Sequence, residues 1–128
     1  MMKRRIGTVV AAAAGLVLLG TTAAYADTTV YSVNNGYDRG RATWTENGDT
    51  LMVCDLLPDG WGARGYIYLP NAGDHENGTV LIKASDGNAT DGCVSVSKNI
   101  SETVTIGIKV CTYAGSVVDN CEYEIIPR

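Results

Sequence analysis

The chain has 128 residues, a net charge of −4 and no Phe. That length holds one domain with a modest core, so cross-links would contribute substantially to its stability. The acidic balance argues against nucleic acid and anionic membrane surfaces as electrostatic partners.

Residues 1–26 read as a secretory signal peptide. Lys3, Arg4 and Arg5 form its basic start, Ile6 to Leu19 its apolar core, and Ala24-Tyr25-Ala26 a small-x-small cleavage site. No later stretch is long and apolar enough to span a membrane. Residues 27–128 are therefore expected as a single secreted, extracellular domain, with seven Lys/Arg facing fourteen Asp/Glu and a net charge of −7.

Thr28 to Asn34 is a β-prone start and Asn35 to Asp38 a turn. Gly40 to Cys54 carries the strongest local signal. Asn47-Gly48 fits a two-residue type I′ turn, in which both central residues take positive φ. That register sets Trp44 opposite Leu51 and Ala42 opposite Val53 on one face. Thr43, Thr45, Thr50 and Met52 take the other, less apolar face, and so does Cys54. Cys54 is thus expected to tie the sheet to a neighbouring segment. Asp55 to Gly65 is dense in turn formers. Gly65 to Leu69 alternates Tyr66 and Tyr68 with Ile67 and Leu69. Pro70 to Gly78 reads as a polar loop, Thr79 to Ala84 as a strand, Ser85 to Gly92 as a turn cluster and Cys93 to Val96 as a short strand. Thr103 to Tyr113 has the cleanest period-2 pattern, with Val104, Ile106, Ile108 and Val110 on one face. Ala114 to Asp119 turns the chain and Asn120 to Ile126 returns it. No segment after the leader has helical periodicity. The fold class is all-β: a small antiparallel β-sandwich of Ig-like type with about eight short strands, a small barrel being the alternative.

Cys54, Cys93, Cys111 and Cys121 make an even count in a secreted chain, which reads as two disulfides. Three connectivities are open. The pairing Cys54–Cys93 with Cys111–Cys121 is favoured, because the second pair flanks a hairpin. It creates a register conflict: cysteines directly opposite would set Val110 against Glu122 and Ile108 against Glu124, whereas apolar matching prefers Tyr123 and Ile125. A β-bulge between Val110 and Tyr113 would reconcile the two. Spacings of 39, 18 and 10 match no zinc motif, and the single His75 lies in a polar segment.

The run ATWTENGDTLMVCDLLPDGWGARGYIY, followed by VCTYAGSVVDNC, resembles small secreted actinobacterial proteins of unknown function. Their pattern is a Trp before a Gly-Asp turn, then Val-Cys-Asp, and a late Val-Cys with a closing cysteine. The resemblance implies an extracellular two-disulfide β-sandwich and no assigned activity.

Four residues stand out for binding. Trp61, flanked by Gly60, Gly62 and Gly65, is followed by Arg64, Tyr66 and Tyr68. Such a cluster can stack on a sugar ring or anchor a protein interface. Its order is similar to the consecutive Trp-Arg-Tyr contact of small secreted α-amylase inhibitors, whose cysteine spacing differs. Trp61 closing the end of the core is the plainer reading. Asp55 and Asp59 resemble the start of a calcium loop that Leu57 and Tyr66 then break. Asp86, Asn88 and Asp91 form a second oxygen-rich turn. Ordinary turn chemistry accounts for both sets. Asn77, Asn88 and Asn99 head glycosylation sequons, which matter only in a eukaryotic secretory route. No cofactor is expected. Catalysis would have to use the lone His75 or unremarkable turn carboxylates. The expectation is a monomeric, non-catalytic binding module for an extracellular protein or carbohydrate. A structural or cell-surface interaction protein and an enzyme inhibitor are the alternatives.

Overall fold

The structure is a computed structural model that describes residues 26–128, so all but the last residue of the leader lies outside the described residues. Eight strands form two antiparallel sheets. The first sheet has the order β1 (Thr28–Asn34), β2 (Tyr37–Thr45), β3 (Thr50–Asp55), β6 (Val94–Ser97). The second has the order β5 (Asp74–Asp86), β4 (Gly62–Asn71), β7 (Ile106–Ala114), β8 (Val117–Ile126). The expected all-β sandwich is present. Its strand order is its own: three meandering strands open the first sheet, whereas in an immunoglobulin constant domain the third strand crosses to the other sheet.

The β2–β3 pairing follows the sequence reading, with Trp44 opposite Leu51 and Ala42 opposite Val53. The turn chemistry does not. Glu46 to Asp49 form the connection, and positive φ falls on Gly48 and Asp49, not Asn47. The two-residue turn with consecutive positive φ is Asn35-Gly36, between β1 and β2. Past it, β2 bulges at Arg39. The Arg39 carbonyl accepts the Leu56 N–H at 3.0 Å, and its guanidinium pairs with Asp59 at 3.4 Å.

Inward-facing side chains alternate as period 2 requires. Trp44, Leu51, Ile67, Ile106 and Ile108 are fully buried and fill one end of the sandwich. The other end is thin. A Cβ on Gly65 would lie 2.5 Å from Val53 Cγ2 and 3.3 Å from Ala42 Cβ, and one on Gly40 would lie 2.9 Å from Ala63 Cβ. Close sheet approach there leaves no room for larger residues.

Both disulfides have the favoured pairing. Cys54 sits on the outer face of β3 and bonds Cys93 in the segment leading into β6, outside the apolar core. Cys111–Cys121 spans a bulge at the expected place: Val110 faces Glu122 and Thr112 faces Asp119. The extra residue, Asn120, has φ 50°. Ile108 faces Glu124, so the cysteine register holds and the apolar matches, Val110 to Tyr123 and Ile108 to Ile125, do not. The reason is position: β8 is an edge strand, and Glu122 and Glu124 remain exposed on it.

Pro70 to Gly78 is not a loop. β4 runs on to Asn71 and β5 begins at Asp74, making a hairpin with Ala72-Gly73 at its tip. Three residues of β5, His75 to Asn77, bulge out between the pairs Asn71–Asp74 and Pro70–Gly78. A Cβ on Gly78 would collide with the Leu69 carbonyl, so the bulge closes only on glycine.

The thin end yields a prediction. Gly65→Ala should cost about 1–3 kcal/mol, the usual range for overpacking. Combining it with Val53→Ala should recover part of that loss, giving a favourable coupling between the two sites. Urea unfolding of the two single variants and the double variant measures the cycle. Strict additivity would show that the sheets do not meet at this point.

Candidate binding surface

The outer face of the second sheet collects residues from all four of its strands. Strand pairing places them in rows. One row reads Lys83, Tyr66, Lys109, Tyr123 across β5, β4, β7 and β8. The next row toward the Trp61 loop reads Ser85, Arg64 and Cys111.

Two tyrosine rings lie flat on this face because glycines lie beneath them. A Cβ on Gly62 would meet the Tyr113 ring, and one on Gly107 would meet the Tyr68 ring. The Arg64 guanidinium stacks on Tyr113 at 4.1 Å from the ring centre and donates from Nε to Ser85 Oγ at 2.9 Å. The Lys109 ammonium sits 5.4 and 5.5 Å from the centres of Tyr66 and Tyr68. Such contacts fix the cations over aromatic faces. The β5 bulge roofs the far end: Lys109 Nζ donates to the Glu76 carbonyl at 3.0 Å and to Asn77 Oδ1 at 3.3 Å. Beside this roof, Leu69, Pro70, Ala72, His75, Thr105 and Ile125 line a cleft of about 370 Å³.

Of the four residues singled out in the sequence, Arg64 and Tyr66 lie on this face, half-buried. Tyr68 also belongs to it but is 1% exposed, and its hydroxyl donates to the His75 carbonyl at 2.7 Å. It is a floor for Lys109 and not a contact surface. Trp61 immediately precedes β4 and is half-buried, with its N–H bonded to Asp59 Oδ1 at 3.0 Å. The fully buried tryptophan of the core is Trp44. Lys83, Lys109, Tyr113 and Tyr123 are not among the binding candidates of the sequence reading. Only the pairing of strands distant in sequence brings them to Arg64 and Tyr66.

The oxygen-rich turns bind their own backbone. Asp86 Oδ2 accepts the Asp55 N–H and Oδ1 that of Asn88, at 2.8 and 3.1 Å. Asp55 Oδ1 accepts from Leu57, and Asn88 Oδ1 from Thr90. The Asn88 amide donates to Asp91 Oδ2 at 2.7 Å. Asp59 is held by Arg39 and the Trp61 N–H. Burial raises the Asp55 pKa, opposed by the Leu57 hydrogen bond and reinforced by Asp59 and Asp86. The bonds to Leu57, Trp61, Asn88 and Thr90, each two residues on, are the Asx-turn roles that Asp and Asn take in ordinary turns, whereas the Asp86–Asp55 bond ties β5 to β3.

A different acidic group converges at the other end of the molecule. Glu46, Asp49 and Glu102 have carboxylate oxygens within 4.8 Å of one another. Arg128 Nη2 lies among them, at 3.2, 3.7 and 2.8 Å respectively, with its side chain fully buried. Asp49 Oδ2 also accepts the Ile100 N–H at 2.9 Å. The cluster holds the last strand's end against the β2–β3 turn.

Compared with family models, curated proteins and solved structures, the chain matches none.

Tyr68 offers a direct check of the roofed end. Burial, with smaller contributions from Tyr123, Glu76 and Asp74, lifts its pKa to about 12 from 10.0. The folded state therefore holds the Tyr68 proton more tightly than the unfolded chain. The resulting stability is fully present below pH 10 and is lost as pH rises from 10 to 12. Spectrophotometric titration should show one late-ionising tyrosine that coincides with alkaline unfolding. Tyr68→Phe should abolish that step and lower stability at pH 7 by about 1 kcal/mol for the lost hydrogen bond. A late step surviving in the variant would place the buried hydroxyl elsewhere.

Proposed function

We propose that this chain is a secreted, non-catalytic binding module whose ligand, an extracellular protein or a carbohydrate, lies on the outer face of the second sheet. One observation carries the reading. Arg64 and Tyr66 share a face with Lys109, Tyr113 and Tyr123, and none of these belongs to the apolar core. The Tyr113 ring, seated over Gly62, and the guanidinium stacked on it cost little further side-chain entropy on binding, which is what a preorganised site needs. Secretion accords with the leader sequence and with two disulfides. Among the described residues, no helix is long and apolar enough to cross a membrane. Trp61 stands beside the face, at the start of β4.

The test is binding of residues 27–128 to arrays of extracellular proteins and glycans. Any ligand found should lose about 30-fold or more in affinity with Arg64→Ala plus Tyr66→Ala, the size of a hot-spot truncation. The melting temperature should change little, since neither residue is in the core. Trp61→Ala separates the loop from the face: loss of binding at unchanged stability makes it part of the site. A loss of about 3 kcal/mol or more in stability makes it a core closure instead. Binding that survives the double substitution would refute this face as the site.

A further inference from the structure

We infer that the outer face of the second sheet is a site for an acidic polysaccharide, one whose sugar rings stack on Tyr66 and whose carboxylate or sulfate groups meet Arg64, Lys83 and Lys109. The inference rests on the binding-face reading above and adds the ligand class.

Charge pairing is the first observation. With fourteen carboxylates and seven cations in residues 27–128, acidic partners are abundant. Arg39 pairs with Asp59, and Arg128 with Glu46, Asp49 and Glu102, whereas Arg41 and Lys98 hold only neutral acceptors. On this face three cations in two adjacent rows share that lack of a carboxylate partner. Among the described residues, no carboxylate oxygen lies within 4.0 Å of the charged nitrogens of Arg64, Lys83 or Lys109. Arg64 gives Nε to a serine and its plane to a tyrosine, which leaves its terminal nitrogens for a bidentate anion. An acidic protein thus carries three cations on one face with no carboxylate in contact, Asp74 and Glu76 standing only at its roofed end, and an anionic ligand complements the side that Arg64 and Lys83 occupy.

The second observation is the order of the central row, Lys83, Tyr66, Lys109, Tyr123. Cation and aromatic alternate on successive strands. The two lysine strands flank β4, so they stand two strand spacings apart, about 9–10 Å. That is the order of a disaccharide repeat, and a ring lies between the two charges. Lysine flanking the centre of the patch disfavours a protein partner, because interface cores are depleted of lysine. Tyrosine faces suit the apolar faces of sugars, and their hydroxyls suit sugar hydroxyls.

Calorimetric titration with four defined polymers tests this: polygalacturonate, dextran sulfate, neutral dextran and poly-glutamate. Polygalacturonate or dextran sulfate should bind, more weakly as salt rises, and the better of the two identifies carboxylate or sulfate as the recognised group. Neutral dextran should not bind, and poly-glutamate should bind at least tenfold more weakly. Arg64→Ala and Lys83→Ala should each weaken binding about tenfold, and Arg41→Ala, on β2 of the other sheet, should not. Tyr66→Ser leaves the charge unchanged and should also cost about tenfold. Thermal unfolding checks that each variant is folded. Poly-glutamate binding as tightly, or Tyr66→Ser without effect, would reduce the site to plain charge attraction and overturn the inference. Dextran binding equally well would overturn it while leaving the binding face standing. Binding of none of the four would also overturn it, and the protein arrays would then decide the broader reading alone.

Discussion

The two sheets touch through almost nothing at one end of the sandwich, and the rest of the structure depends on that contact. Gly65 of β4 sits over Val53 and Ala42, and Gly40 of β2 sits over Ala63. Only Val53, Ala42 and the tip of Leu51 reach Gly65, so the backbones approach closely there. A slip of one residue in β4 would bring Arg64 or Tyr66 to that contact, which neither volume nor charge tolerates. The register of β4 is thereby fixed, and with it the row that β4 shares with β5 and β7. A constraint in the interior determines what is displayed outside.

The outer face is ordered by a second use of glycine. Gly62 and Gly107 lie beneath Tyr113 and Tyr68, so each ring rests on the neighbouring strand's backbone instead of standing up from the sheet. Cross-strand contacts between aromatic rings and glycine recover apolar area that a bare glycine would leave wet. Cations then settle on the rings. The β5 bulge adds main-chain carbonyls that hold Lys109 and the Tyr68 hydroxyl. Irregularity in β5 therefore stabilises a regular array on β4 and β7.

Much of this fold was legible in the sequence, and the exceptions have physical causes. Trp44 against Leu51 was legible because a hairpin's register is local, and the same four-residue span connects β2 to β3 whichever turn geometry it adopts. The choice between Asn35-Gly36 and Asn47-Gly48 was not, since Asp49 is drawn into the turn by its bond to Ile100 and by Arg128. The Pro70 to Gly78 segment looked like a loop because its bulge residues are polar, yet His75 and Glu76 hold Tyr68 and Lys109 through main-chain carbonyls, which no side-chain pattern reveals. Cys111–Cys121 was legible from spacing, and the bulge from the register conflict. The apolar pattern of β8 misled because an edge strand can leave Glu122 and Glu124 in water. Of the candidate surface, Arg64 and Tyr66 could be singled out because they follow one another in β4. Lys83, Lys109 and Tyr123 join them only through pairings between distant strands, which no local pattern encodes.

Cys54–Cys93 joins two points of the first sheet, but the chain between them forms β4 and β5 of the second. Cys111–Cys121 likewise encloses the Gly115-Ser116 turn between β7 and β8. The exposed connections at 58–60, 71–75 and 87–93 fall within the first loop, and that at 115–116 within the second. Exposed tips of this kind are where proteases cut. A single cut at any of them leaves both pieces covalently joined, with every strand pair still able to form. The covalent map thus makes much of the vulnerable surface expendable, so a nicked molecule can persist in a protease-rich medium with its sheets, and the face they carry, intact.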